Sequence, residues 1–582
     1  MTSRPVPDAR MAGLGLRRST LVPNLYDAVA LVLVVAVLAL VAHAAGAMRA
    51  PLSQLDIAPV TLDPWLLPDY AARTTLRMFA AMAASLVFTF VVATLAAKSR
   101  KAELLIVPAL DILQSVPVLG FLTFTVIFFL NLFPASQLGA ECAAIFAIFT
   151  AQAWNMAFSF YQSLRTLPQD LEEVSRHFRL SPWLRFWRLE APYATPGLVW
   201  NAMMSMSGSW FFVVASEAIS VGDTKIALPG IGAWLSLAIE RRDIGAVGMA
   251  VAAIGVVILL YDQLVFRPIV AWADKFRAET TAAQERPRSW LYDLVRRTRL
   301  VKRLFEPVAA VATSVGRLPM PRVAWQAVAL PPGVGRALDL AWYGLVAAAV
   351  AAAAWTTARF VSTTLGWADV AGAVGLGALT LMRVLVLIAV ASLVWVPIGV
   401  WIGLRPAVSQ RVQPVAQFLA AFPANVLFPF AVVAIVRLGL DPDVWLSPLM
   451  VLGTQWYILF NVIAGASAFP TDLREASSLF RLRPAQWWRK VILPGIFPYY
   501  VTGALTASGG SWNASIVAEV ASWGDTRLQA SGLGSYIANA TDAGDYQRVV
   551  LGVAVMSLYV VIFNQVLWRP LYRFAERRLR MT

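Results

Sequence analysis

Two stretches of this 582-residue chain combine acids, arginines and prolines in a spacing that suits mechanical rather than covalent chemistry. The first runs from Pro168 to Pro192 and carries Asp170, Glu172 and Glu173, then Arg179 and Pro182. The second runs from Pro470 to Pro494 and carries Asp472, Glu475, Arg481 and Pro484 at matching positions. Acids early and arginines later favour a helix through its macrodipole. Each internal proline ends that helix and is suited to the first turn of another. Each stretch therefore reads as two short helices set in an L, a lever stiff enough to transmit force. A second group of residues is polar or ionisable within apolar segments, where such groups are costly and mark function by default. Arg77 and Arg383 occupy equivalent places and would either guide an anion or reach out to lipid headgroups. Asn201, Ser205, Ser207, Ser209 and Trp210 in one segment, and Thr506, Ser508, Ser511, Trp512 and Asn513 in another, would line a polar path or permit close helix packing. Glu217 and Glu519 would repel an anion, and read as hydrogen-bonded structural groups near an outer mouth or as parts of a gate.

No covalent or metal chemistry competes with this reading. One cysteine, Cys142, excludes an intrachain disulfide and a multi-cysteine metal site, and behaves as a small apolar side chain. Two histidines, His43 and His177, are too few and too far apart for a metal centre. No G-x-x-x-x-G-K-[ST] phosphate loop occurs anywhere. The chain is 59% apolar and 14% charged, with a mean hydropathy of +0.66, too little charge to coat a water-soluble surface.

The elements that must position these residues are membrane helices. Apolar segments of about 20 residues, the length that crosses a bilayer, recur throughout. Twelve spans are expected, near 25–47, 73–97, 112–133, 141–164, 196–219, 245–267, 337–360, 376–403, 415–436, 445–466, 498–520 and 548–568. The first resembles a signal peptide but is too long, and the later spans need it to keep their phase, so it reads as a retained helix. With the amino terminus in the cytoplasm, 37 of the 48 Lys and Arg residues fall in cytoplasmic segments. That bias is the positive-inside rule, and it makes the net charge of +15 a signal of membrane orientation rather than of nucleic acid.

The chain is also a tandem duplication. At an offset of 302, Gly222-Asp223-Thr224-Lys225 lies over Gly524-Asp525-Thr526-Arg527, and Gly230-Ile231-Gly232 over Gly532-Leu533-Gly534. Trp210 and Glu217 fall on Trp512 and Glu519. Nearer the start of each half the offset becomes 306, pairing Arg77 with Arg383 and Pro117 with Pro423. Pro117 and Pro423 are expected to kink or start the third span of each half. The resulting organisation is a cytoplasmic segment 1–24, a first repeat 25–267 with its loop 168–192, a linker 268–336, a second repeat 337–568 with its loop 470–494, and a tail 569–582. Six spans per repeat make the two halves parallel, related by a pseudo-two-fold axis along the membrane normal, with a substrate path between them. Residues 267–336 hold thirteen basic and five acidic residues, and Trp290, Leu291, Leu294 and Val295 recur among arginines at helical spacing. That segment reads as a helix lying on anionic lipid or as a basic tether.

The two loops resemble the EAA loop of binding-protein-dependent ABC importer permeases, through Glu475-Ala476-Ser477 with Leu493-Pro494 and, more loosely, Glu173-Val174-Ser175 with Ala191-Pro192. Arg179 and Arg481 stand where that family usually has Gly. With the Gly-Leu-Gly-type loop and the Arg267-Pro268 and Arg569-Pro570 endings, the chain is similar to the duplicated branch of the nitrate/sulfonate/taurine group. The resemblance implies an all-α polytopic fold and a permease that is itself no enzyme, set in a bacterial inner membrane with both termini in the cytoplasm. It implies two ABC ATPase subunits, holding ATP and Mg, docked on the loops, and a periplasmic or lipid-anchored solute-binding protein. The implied cargo is a small organic or inorganic anion. A secondary transporter of the twelve-helix, two-repeat type is the alternative, but Lys98–Glu103 and Leu404–Arg411 lack its usual Gly/Asp/Arg-rich loop.

Overall fold

The computed structural model describes residues 60–115, 118–134, 136–221, 224–276, 289–298, 332–467 and 482–578, with a few isolated positions between them. Segment 1–24, the expected span 25–47, Pro117, most of the linker, and Asp472, Glu475 and Arg481 of the second loop lie outside the described residues. Among the described residues, eight helices are long and apolar enough to cross a membrane, and ten if each of two bent pairs counts as one span. These coincide with ten of the expected spans, and the fold is an all-α polytopic membrane protein. Helix Leu67–Lys98 has 32 residues. At about 1.5 Å per residue it exceeds a hydrocarbon core about 30 Å thick, so it tilts or projects beyond it. Expected span 112–133 is represented by Val118–Leu132, a 15-residue helix that follows Arg100–Ser115.

Two expected spans are broken rather than straight. Span 415–436 consists of Pro406–Ala421 and Ala424–Leu438 set at 75°, and span 445–466 of Pro442–Leu452 and Gln455–Ser467 at 44°. The first break has a local cause. Pro423 has no N–H to donate and holds Phe422 extended, at φ −71° and ψ 129°, so the helix stops there.

The structure adds two β-hairpins that helical periodicity did not announce. Strand β1 (Ala218–Val221) pairs antiparallel with β2 (Thr224–Ala227), and β3 (Val520–Trp523) with β4 (Thr526–Gln529). Their registers are offset by 302, and in the second hairpin Gly524-Asp525 is the tip of a tight turn. Gly524 sits there at φ +58°, a conformation natural to glycine. Each hairpin follows a long helix, Ala191–Glu217 or Leu493–Ala518, at the end opposite the 168–192 or 470–494 segment.

Each half has its own core, and each core borrows from the other half. Residues Val60–Phe266 pack with Ala421 and Val426, while Ala373–Trp568 pack with Val126, Ala143 and Ala147. Trp523 touches both cores. The β3–β4 tip crosses the same seam: the Gly524 N–H donates to the Ile239 carbonyl at 3.0 Å, and Arg242 reaches Asp525 at 3.0 Å. Helix Pro332–Val361, by contrast, has Leu340 and Trp355 more than 70% exposed and lies at the periphery.

A Cβ at Gly524 would meet the Arg242 side chain and require an unfavourable φ. Gly524→Val is therefore expected to lower the thermal unfolding midpoint of the full chain by loosening the seam. Gly372→Ala, in open space on the adjacent helix, should leave it unchanged. Equal midpoints for both variants would dismiss the hairpin as a seam contact.

Candidate functional site

The first lever is built from Gln169–His177 and a second segment that starts at Pro182. Ser181 caps the second segment, accepting from the Leu184 N–H at 3.2 Å, and Pro182 occupies its first turn. The segment is not the separate short helix expected of an L. It runs through a π-helical turn, Phe186–Glu190, directly into Ala191–Glu217. The second half repeats this, from Pro484–Trp487 through a π turn Trp488–Ile492 into Leu493–Ala518. The extra residue of a π turn accommodates the prolines that follow it at 192 and 494. Whatever pushes on either lever pushes on a membrane-length helix.

Arg179 ends the first lever helix with φ +48°. The Leu180 N–H closes back onto the Ser175 carbonyl at 3.1 Å, and the Leu482 N–H onto Ser477 at 3.4 Å. That i→i−5 bond is a Schellman cap, whose left-handed residue is ordinarily Gly. Asp170 and Glu173 are exposed at the lever surface. Glu172 pairs with Arg185 and with Arg176, and Arg185 continues to the buried Glu190, which Lys98 meets at 2.8 Å. An ionic chain thus braces the first lever against the end of Leu67–Lys98.

At the opposite end each half holds a buried ionic knot. Arg77 is fully buried and binds Glu141 with two nitrogens, at 2.6 and 2.7 Å, and Glu217 with a third, at 2.7 Å. Glu217 also accepts from Thr74 Oγ1 and from the Gly232 N–H, each at 2.7 Å. In the second half Arg383 binds Asp443 at 3.0 Å and Glu519 at 3.3 Å, and Glu519 accepts from Thr380 Oγ1 at 2.9 Å. A Cβ on Gly230 or Gly532 would collide with the Glu217 or Glu519 carboxylate, which explains the repeated Gly-x-Gly. In this structure Arg77 and Arg383 are therefore paired with carboxylates rather than extended toward headgroups. They are neutralised inside the protein.

Between the halves lies a cavity of about 130 Å³, lined by helices of both. Of the pathway residues expected from sequence, Ser205, Ser207, Thr506 and Asn513 line it. Asn201 instead donates to Ser159 at 2.8 Å, and Ser209 accepts from Gln152 at 3.2 Å. Trp210 donates to Tyr261 at 3.2 Å, Ser508 and Ser511 bond within the helix bundle, and Trp512 stacks on Tyr559. Glu217 and Glu519 stay in their knots. Sequence reasoning missed Glu141 and Asp443, although an acid recurs there at offset 302. It also missed Asn155 and Tyr457, which occupy equivalent positions in the two halves and face one cavity. Among the described residues, none that lines the cavity is Asp, Glu, Lys, Arg or His.

The sequence matches the family described as binding-protein-dependent transport system inner membrane component twice, over residues 66–267 and 395–581. Among curated proteins, it is 26% identical over 187 residues to a nitrate import permease protein of Leptolyngbya laminosa, covering 32% of this chain and 63% of that relative. It is 27% identical over 166 residues to a bicarbonate transport system permease protein of Synechocystis, covering 28% and 56%. It is 26% identical over 188 residues to a taurine transport system permease protein of Escherichia coli, covering 32% and 64%. The aligned region thus spans less than two thirds of each relative.

Removing the cation from a buried knot leaves carboxylates uncompensated, at about 3–5 kcal/mol. Arg77→Gln is expected to destabilise the full chain on that scale. Arg383→Gln should cost less, because Asp443 is 45% exposed. Adding Glu141→Gln should restore part of the Arg77→Gln loss; thermal unfolding in detergent measures all three, and no rescue would argue against charge compensation. Arg179→Gly, by relieving a left-handed arginine, should raise stability by about 1 kcal/mol; a fall would contradict the cap assignment.

Proposed function

The chain belongs, in both halves, to the family of binding-protein-dependent transport inner-membrane components, and we propose that it alone forms both halves of the translocation pathway of an ATP-driven importer. On this reading the 168–192 and 470–494 levers face the cytoplasm, and two ABC ATPase subunits that hold ATP and Mg dock on them. The hairpins face the outside, where a solute-binding protein delivers its cargo, and the protein sits in a bacterial inner membrane with both termini inside.

The observation that carries the reading is the duplicated lever. Each is continuous with a long helix, Ala191–Glu217 or Leu493–Ala518, that lines the seam cavity. Closure of paired motors on two such levers would move those helices relative to each other and open the cavity to alternate sides. Small anions are the favoured cargo, since two of the relatives are named for nitrate and for bicarbonate.

Purified from its native membrane, the full chain should retain an ATPase in detergent, and deleting 170–190 should release it. In proteoliposomes, uptake should require ATP. Transport driven by an ion gradient with no nucleotide would replace this reading with a secondary transporter.

A further inference from the structure

The seam cavity lies where positive charge would be the obvious means of holding an anion, yet no charged side chain lines it among the described residues. The arginines nearest in sequence logic, Arg77 and Arg383, are bound to carboxylates elsewhere. What lines the cavity instead is neutral hydrogen-bonding capacity set among aromatic rings, including Phe211, Phe212 and Phe422.

Most of the lining hydroxyls are already engaged. Thr150 bonds the Ala147 carbonyl at 2.7 Å, Ser207 the Met203 carbonyl at 3.1 Å and Thr506 the Thr502 carbonyl at 3.0 Å, each on its own helix. Donors with capacity remain, among them those of Trp154, Asn155 and Tyr457. The Trp154 indole N–H is buried with no partner among the described residues. Asn155 uses one amide N–H on Ser205 at 3.3 Å and has a second. The Tyr457 hydroxyl makes no hydrogen bond among the described residues; it comes from the other half, at the position equivalent to Asn155. A buried N–H without a partner costs about 1–3 kcal/mol and calls for an explanation. A bound solute that accepts hydrogen bonds supplies one.

We propose that this cavity selects a small monovalent oxyanion through the neutral donors Trp154, Asn155 and Tyr457, with the buried arginines taking no part. The inference rests on the import reading and adds the basis of its selectivity. Desolvation of an ion rises with the square of its charge, so neutral donors can hold a monoanion with spread charge but not a dianion. A zwitterion would bring an ammonium group into a cavity whose lining, among the described residues, offers no carboxylate. The volume, about 130 Å³, suits a solute of a few non-hydrogen atoms. Neutral donors also suit transport, since a site that held the ion with full opposite charge would release it slowly.

The test uses the full chain purified without ATPase or ATP, at constant ionic strength, with nitrate, sulfate, taurine and uncharged acetamide as separate probes. Thermal stabilisation and its concentration dependence report binding. Nitrate is expected to raise the unfolding midpoint and the other three are not. Tyr457→Phe removes one hydroxyl and should weaken nitrate about tenfold, with Asn155→Leu similar, and the pair together should abolish the effect. The Tyr457→Phe protein should unfold at the wild-type temperature when no anion is added, which separates lost binding from lost folding. Equal protection by sulfate, taurine or acetamide, or wild-type nitrate affinity in both single variants, overturns the proposal. Because no nucleotide is present, binding here is independent of how transport is driven. Nitrate binding followed by ATP-independent uptake in liposomes would overturn the import reading alone.

Discussion

A guanidinium buried among membrane helices has to be matched by carboxylates, and Arg77 is matched by two at once. Through Glu141 it joins helix Leu67–Lys98 to Leu138–Arg165, and through Glu217 it joins both to the end of Ala191–Glu217. A fourth contact, to the Pro229 carbonyl at 3.0 Å, fixes the chain as it leaves the hairpin. Thr74, which bonds Glu217 and accepts from the Ile231 N–H at 3.0 Å, pins the start of the next helix. One side chain and its immediate partners thus set the relative positions of three spans, a hairpin and a turn. Away from that knot the helices are mostly apolar on every side, and lipid gives them no hydrophobic reason to choose one neighbour over another. The ionic pairing supplies the choice.

The second half solves the same problem with different parts. Asp443 replaces Glu141, but it lies on a short helix, Pro442–Trp445, in the first piece of a bent span rather than in the first turn of one long helix. The change of offset from 306 to 302 leaves four fewer residues between Arg383 and Asp443 than between Arg77 and Glu141. Asp443 also accepts from the Ser531 N–H at 2.5 Å, so it holds the turn that Pro229 holds in the first half. The halves are therefore equivalent in connectivity and unequal in geometry. The cavity between them inherits that inequality, with Asn155 facing Tyr457 and Phe211 facing Asn513 across corresponding positions.

The long helices and the duplication were legible in the sequence because both are properties of pattern: apolar length, and identity at a fixed offset. The levers were legible in part. Acids and prolines marked where the helices begin, but nothing in the spelling told that Pro182 opens a segment continuous with Ala191–Glu217, since a π turn leaves no compositional trace. The break at Pro423 was visible as a proline and invisible as an angle of 75°. The hairpins are four residues a strand, too short for alternation to stand out. Arg77 was misjudged for a different reason. Its acceptors Glu141 and Glu217 lie 64 and 140 residues away, and only the fold brings them within hydrogen-bond distance. Sequence position did not separate Ser205, which lines the cavity, from Ser209, which is fully buried against Gln152.

The roots of the two levers show how interchangeable charge and packing are at one mechanical joint. In the first half Lys98, Arg185 and Glu190 form the joint as an ionic chain, with Glu190 only 3% exposed. The corresponding residues of the second half are Leu404, Trp487 and Ile492. Ile492 is fully buried in the second core, and Leu404 and Trp487 pack against that core. Exchange of a buried ion pair for apolar side chains of similar bulk is close to neutral in stability, because the desolvation of the ions offsets most of their attraction. Such an exchange cannot be made one residue at a time without stranding a charge, so the three positions had to change together or pass through a weakened joint. On the proposed function, force enters the membrane helices through both joints. The two levers are thus rooted in the membrane helices by different interactions, ionic in the first half and apolar in the second.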